Sequence, residues 1–141
     1  MADILERDCD ATMVFWMGLV DKDEELTYLP SSVEDRTGHL PKLIHDRITR
    51  LRLPKGARNP KSIAAHEHGM LRREQGARLQ RWVEESRIFQ VSIFHMLNNN
   101  LSTVDFSKLL LDVITIADEA DSQLKQAALC YVEPKAIQAV A

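Results

Sequence analysis

Residues capable of chemistry are sparse in this chain, and most stand at spacings that defeat the usual sites. Of its five histidines, His39, His45, His66, His68 and His95, the pair His66 and His68 is two apart. On a helix their side chains point about 200° apart and cannot share a metal. There is no His-Glu-x-x-His, Cys-x-x-Cys, phosphate-cradling glycine loop or Gly-x-Ser-x-Gly elbow. Glu84 and Glu85 are adjacent and do not share a helix face, so no carboxylate couple of the glycosidase kind stands out. A single histidine in an all-α domain can ligate haem, with His66 and His68 as the candidates; the alternative is a histidine satisfied inside the core. The reading is of a non-enzyme with no metal and no cofactor.

One polar grouping does have helix geometry. His68, Arg72 and Gln75 fall at i, i+4 and i+7, on one face with Ala64 and Ala65 near its start. Gly69 beside them costs about 1 kcal/mol relative to Ala in a helix interior, which makes sense where another helix backbone crosses closely. After Gly76 a new helix begins, and on it Glu84 and Arg87 are i, i+3 neighbours. A Glu84–Arg72 or Arg87–Glu67 pair would latch the two helices together. The same cluster could instead sense a ligand, a proton or a partner, with His68 as a switch only if the arginines do not dominate the site.

The elements that must position this cluster are all helical. No alternating Val/Ile/Thr run bounded by turn residues appears, and no glycine or proline interrupts residues 77 to 131. A first helix is expected over Asp3–Val20, followed by an acidic loop, Asp21 to Glu25, because carboxylates oppose the dipole of a last turn. Ser31 and Glu34 have capping-box spacing for a short turn closed by Gly38. Pro41 suits the start of a helix through Leu51, and residues 53 to 60 form a loop. Pro60 or Lys61 opens the next helix, which ends at Gln75-Gly76. A long helix then spans about Arg78 to Leu97 and stops at Asn98-Asn99-Asn100. Ser102 and Asp105 mark the start of the longest, from Thr103 to about Val132, with Glu133-Pro134-Lys135 ending it. The predicted architecture is all-α: a single compact bundle of five to six helices over 1–141, with two long antiparallel C-terminal helices and a loosely packed tail at 133–141.

The last helix has the clearest periodicity. Phe106, Leu110, Val113, Ala117, Ala120, Leu124, Ala127 and Tyr131 alternate steps of four and three, a heptad seam over nearly four repeats. Leu109, Ile116 and Ala128 widen its apolar face. The seam either packs inside a monomeric bundle or, through its small residues Ala117, Ala120 and Ala127, admits a partner helix and makes a homodimer.

Charge narrows the partners. Residues 42 to 81 hold eleven Lys/Arg against three acids, although the chain of 141 residues carries a net charge of −3. The basic residues are Lys42, Arg47, Arg50, Arg52, Lys55, Arg58, Lys61, Arg72, Arg73, Arg78 and Arg81. Such a block could contact nucleic-acid phosphates, but it lacks interleaved aromatics and a recognition helix of base-reading side chains. A face complementing acidic helices of the same bundle is the expected reading. No apolar run reaches the roughly 18 residues of a membrane span, and the acidic N-terminus lacks the basic region of a signal peptide. A cytoplasmic protein with two packed thiols, Cys9 and Cys130, is expected.

Residues 64 to 89 carry a family resemblance. His68-Gly69-x-x-Arg72-x-x-Gln75-Gly76, followed by Val83-Glu84-Glu85-Ser86-Arg87-Ile88-Phe89, resembles the RsbRD-type N-terminal domain, the RsbT co-antagonist module found as input to stressosome proteins and some bacterial sensor histidine kinases. His39-Leu40-Pro41-Lys42-Leu43-Ile44 is similar to that family's His-Leu-Pro start, and Asp118-Glu119-Ala120 with Tyr131 to its final helix. The likeness runs from about residue 30. It departs at Ser86, where an aromatic is usual, and at Ala77-Arg78. The resemblance implies a non-catalytic regulatory input domain in stress-response signal transduction that precedes an output module, or a stand-alone relative. Such a domain is expected to dock a protein partner, and the heptad seam adds helix-mediated dimerisation; a haem-binding globin-like sensor is the alternative.

Overall fold

Trp16, Ile44, Ile93 and Ile116, from four different helices, meet in a solvent-free centre, and the helices are arranged so that each contributes one apolar stripe to it. The computed structural model describes residues 1–27, 32–54, 56–57 and 61–132, and among these there are helices but no strands. In chain order they are α1 (Ala2–Arg7), α2 (Cys9–Val20), α3 (Glu24–Thr27), α4 (Val33–Thr37), α5 (Leu40–Arg52), α6 (Ile63–Glu74), α7 (Leu79–Asn99) and α8 (Phe106–Val132). The all-α expectation holds. The five longer helices make the bundle, while α1, α3 and α4 are short turns of chain between or before them.

Several boundaries differ from expectation for local reasons. The first helix is broken at Asp8, whose backbone sits at φ −101°, ψ 18°. The Asp8 carboxylate accepts from Arg7 at 2.7 Å and from Asn100 at 3.0 Å, tying the break to the end of α7. The acidic segment is not all loop. Asp23 accepts from the Glu25 N–H at 2.9 Å and starts α3, whose Glu24 and Glu25 lie at the favourable end of the dipole. The capping box is one residue later than expected: the Asp35 N–H donates to Ser32 Oγ at 3.0 Å, and Asp35 reaches back to the Ser32 N–H. Ser31 and Pro60 lie outside the described residues, as do Lys55, Arg58 and residues 133–141. Pro41 is in the first turn of α5 as expected, but α6 is opened by Ser62, whose Oγ accepts from the Ala65 N–H at 3.1 Å. At the other end, Leu101–Thr103 is a 3₁₀ turn and Asp105, not Ser102, starts α8 by accepting from the Ser107 N–H.

α8 is one unbroken helix of 27 residues, about 40 Å long at 1.5 Å per residue. Its neighbours correct the expected layout, because it packs chiefly on α6 and α5 and only secondarily on α7. The α6 crossing is close: a Cβ added at Gly69 would stand 2.8 Å from Ala127 Cα and 2.7 Å from its carbonyl oxygen. Gly69 is therefore a backbone-contact residue.

The heptad seam is only half right. Ala120 and Ala127 are buried, but inside the monomer against neighbouring helices. Val113, Ala117, Leu124 and Tyr131 are half-buried, and Phe106 and Leu110 are 67% and 73% exposed. The buried face runs through Leu109, Ile116, Glu119, Gln123, Ala127 and Cys130, roughly 80° round from the seam at 100° per residue. Two polar residues on that face, Glu119 and Gln123, hid it from an apolar pattern. Cys9 is half-buried, and Cys130 is buried with its Sγ 3.4 Å from His66 Nδ1.

Gly69→Ala is expected to destabilise the protein by about 1–3 kcal/mol through overpacking, although Gly→Ala in a helix interior ordinarily gains about 1 kcal/mol. Denaturant unfolding checks the sign, and a stabilised variant would contradict the close crossing.

Candidate functional site

The Arg72–Glu85 pair is the centre of the polar cluster. Arg72 Nε donates to Glu85 Oε2 at 2.9 Å and Nη2 donates to Oε1, a fork-on-carboxylate contact with both side chains buried. Arg72 Nη1 donates to Gln75 Oε1 at 2.8 Å, and Nη2 also approaches the Arg36 carbonyl at 3.4 Å. One guanidinium thus joins α6 to α7 and to the end of α4. Gly76 makes the turn between α6 and α7: at φ +74° it lets the Ala77 N–H reach back to the Arg72 carbonyl at 2.9 Å.

The expected latch exists, but with a different acid. Glu84 is on the outer face, where it pairs with Arg87 on its own helix at 2.9 Å. Glu67 faces Lys42 at 3.9 Å and His39 at 4.0 Å; its expected pairing with Arg87 is absent. Glu85 is three residues after Trp82 and four before Phe89, on the inward stripe of α7. That i, i+3, i+7 register was the available signal for it.

His68, one turn before Arg72, is buried with its Nε2 3.9 Å from Glu85 Oε1. Its ring meets His39 edge-on at 5.6 Å between centroids and lies 6.3 Å from the Trp82 ring. Burial, then the positive field of Arg72, then His39 pull its pKa down to about 3. The imidazole is neutral at physiological pH, so a proton switch near neutrality is not its role. Burial pushes the Glu85 carboxyl up while Arg72 pulls it down. Tyr131, from the last turn of α8, has a buried hydroxyl without a hydrogen-bond partner among the described residues; burial is the first cause of its pKa being raised to about 12. Of the motif residues His68, Gly69, Arg72, Gln75, Gly76, Glu84 and Arg87, the structure brings the first five together and leaves the last two outside.

A second buried cation lies beside this cluster, and sequence reading did not single it out. Arg47 of α5 is 1% exposed and stands over the Phe89 ring, 4.6 Å from its centroid. Burial draws its pKa down to about 10, against the attraction of Glu119 and Asp46, and it remains charged at neutral pH. Arg47 and His68 line an interior cavity with Trp82, Glu85, Phe89 and Gln123.

That cavity has a volume of about 20 Å³, so a haem does not fit against His68 without opening the bundle. His66 is on the outer side of α6 with its Nδ1 3.4 Å from Cys130 Sγ. No three His, Cys, Asp or Glu side chains group as metal ligands among the described residues.

Much of the basic block is engaged within the bundle. Arg52 reaches Asp3 and Glu6 at 2.7 Å each, Arg50 reaches Asp118 at 3.8 Å, and Arg73 donates to the Cys130 carbonyl. Arg47 and Arg72 are interior.

No described helix is long and apolar enough to cross a membrane. No family model, curated protein or solved structure matches the chain.

Two predictions follow from the buried charges. Arg72→Met, which leaves the Glu85 carboxylate alone in the interior, should cost about 3–5 kcal/mol, whereas Arg72→Met/Glu85→Leu should recover most of it; urea unfolding of both variants decides. Because His68 binds its proton far less readily folded than unfolded, its contribution is complete above about pH 6.5. It falls by about 1.4 kcal/mol per pH unit as the pH drops from there towards 3. His68→Leu should flatten the acid limb of stability against pH by up to one proton.

Proposed function

We propose that this chain is a non-catalytic regulatory input domain of bacterial signal transduction, of the stressosome or histidine-kinase type, working through helix-mediated dimerisation and docking. The observation that carries the reading is α8. Its C-terminal half is held in the bundle by the close Gly69–Ala127 crossing. Its N-terminal half presents Phe106, Leu110 and Ile114, 67%, 73% and 56% exposed, on one helical shoulder. An exposed apolar stripe of this size and regularity marks an interaction surface.

A second copy is the proposed occupant. Steps of four place Leu110 midway between Phe106 and Ile114, so an antiparallel two-fold pairing about Leu110 sets each Phe106 against the other chain's Ile114. The resemblance at His68-Gly69-x-x-Arg72-x-x-Gln75-Gly76 supports the same assignment. Of those residues His68, Gly69 and Arg72 are buried where α6 meets α7 and α8, from which a change in helix packing would reach the α8 surface. The proposed setting is cytoplasmic, with an output module or protein partner receiving the change. The rigid rod is the transmitter, and the two-state element is the α6–α8 contact.

Sedimentation velocity of the chain over a range of concentrations should show a reversible dimer. Leu110→Asp should shift it to monomer with an unchanged melting temperature. Ala120→Glu cannot serve as this test, because Ala120 is buried within the subunit and the substitution would unfold it. A native chain that stays monomeric at its solubility limit overturns the dimerisation reading.

A further inference from the structure

The interior cavity between α5, α6, α7 and α8 has an unusual polar lining. Arg47 Nε and Nη1 reach no hydrogen-bond acceptor among the described residues, although the side chain is wholly buried. Gln123 donates through Nε2 to the Leu43 carbonyl at 3.1 Å, which leaves its Oε1 buried and without a partner among the described residues. The same holds for His68 Nδ1. The other nitrogen of that ring, Nε2, faces Glu85 Oε1 at 3.9 Å. A carboxylate on that side favours the tautomer with its proton on Nε2, which leaves Nδ1 as an acceptor. Donors on α5 and acceptors on α6 and α8 thus belong to side chains that line one space. Buried polar groups are seldom left without partners, because each gives up its bonds to water on folding.

These atoms lack hydrogen bonds rather than counter-charge. Glu119 and Asp46 already attract the Arg47 cation, and Glu85 stands in the same wall, so an anion has no call to enter. Size points the same way. The cavity has a volume of about 20 Å³, and about 10–15 Å³ suffices for one water. We propose that this cavity is an ordered-water site, in which one water accepts from the Arg47 guanidinium and donates to Gln123 Oε1 and His68 Nδ1. Three hydrogen bonds are the usual complement of a buried water, and one held in this way is costly to remove. The water acts as a part of the packing: through Gln123 it ties α8 to α5 and α6, the two helices on which α8 chiefly rests. It also supplies partners to polar side chains that an all-apolar core would not contain, without adding a charge to an interior that already holds several.

The water site stands without the input-domain reading and rests on it only for a consequence: under that reading the α6–α8 contact shifts, and the water's bonds are among those a shift would break. Hydration is read from electron density and melting, and dimerisation from sedimentation, so either can fail alone. A high-resolution crystal structure of the native chain should show a solvent peak within hydrogen-bond distance of an Arg47 nitrogen, Gln123 Oε1 and His68 Nδ1. Two substitutions at Ala65, a buried residue of the cavity wall, test what the water contributes. Serine and valine have similar helix propensities, but a serine hydroxyl can take over the water's hydrogen bonds and the valine methyl groups cannot. Ala65→Val should therefore melt below the native chain by about 3 °C or more, and Ala65→Ser should melt above Ala65→Val. A native cavity without the solvent peak overturns the proposal, and this result decides alone if neither variant folds. An Ala65→Val chain that melts at or above the native one shows a dry site that gains from filling, and overturns it too. Equal losses in the two variants leave helix propensity as the whole effect and overturn the water's bonding role.

Discussion

The fork of Arg72 on Glu85 is the constraint around which this bundle is organised. A guanidinium and a carboxylate taken out of water repay their desolvation only if nearly every polar atom finds a partner. Here the requirement draws in Gln75 and the Arg36 carbonyl. It also fixes the register of α6 against α7, because Glu85 can meet Arg72 only if the Gly76 turn brings the two helices back at one angle. A purely apolar contact between the same helices would tolerate sliding by a turn. The polar pair contributes less to net stability than its strength in isolation suggests.

The second constraint is steric. The α6 backbone lies against α8 at Gly69, and the small residues of α8 that permit this face inward. The consequence for function is a division of the longest helix. Its C-terminal half is committed to the bundle, through Ala127, Cys130 and the hydrogen bond from Gln123 to the Leu43 carbonyl. Its N-terminal half keeps a large apolar shoulder in solvent. Under the proposed function, a rod anchored at one end and exposed at the other would pass changes in packing to a partner.

Burial has also set the chemistry of the cluster. His68 was a reasonable proton switch by residue type, since an imidazole ordinarily titrates near neutrality. Enclosed beside Arg72 it is a neutral ring across the physiological range. The arginines diverge for the same reason. Arg52 at the surface shares two carboxylates, Arg72 inside has one held bidentately, and Arg47 inside is attracted by Glu119 and Asp46 while its Nε and Nη1 reach no acceptor among the described residues.

The amino-acid order alone determined the helical class, the Gly76 reversal, the proline-led start of α5 and the one-face placement of His68, Arg72 and Gln75. Each of these is set by local backbone preference or by a period of 3.6 residues. It also implied that Gly69 faces another backbone, since a helix-interior glycine is costly without one. Tertiary structure decided which residues answered them across the bundle: Glu85 in place of Glu84, Ala127 opposite Gly69, and α6 with α5, more than α7, along α8. The physical reason is that a polar residue on a buried face breaks the apolar pattern by which that face is recognised. Glu85, Arg47, Glu119 and Gln123 all sit on such faces, and their burial follows from partners distant in the chain.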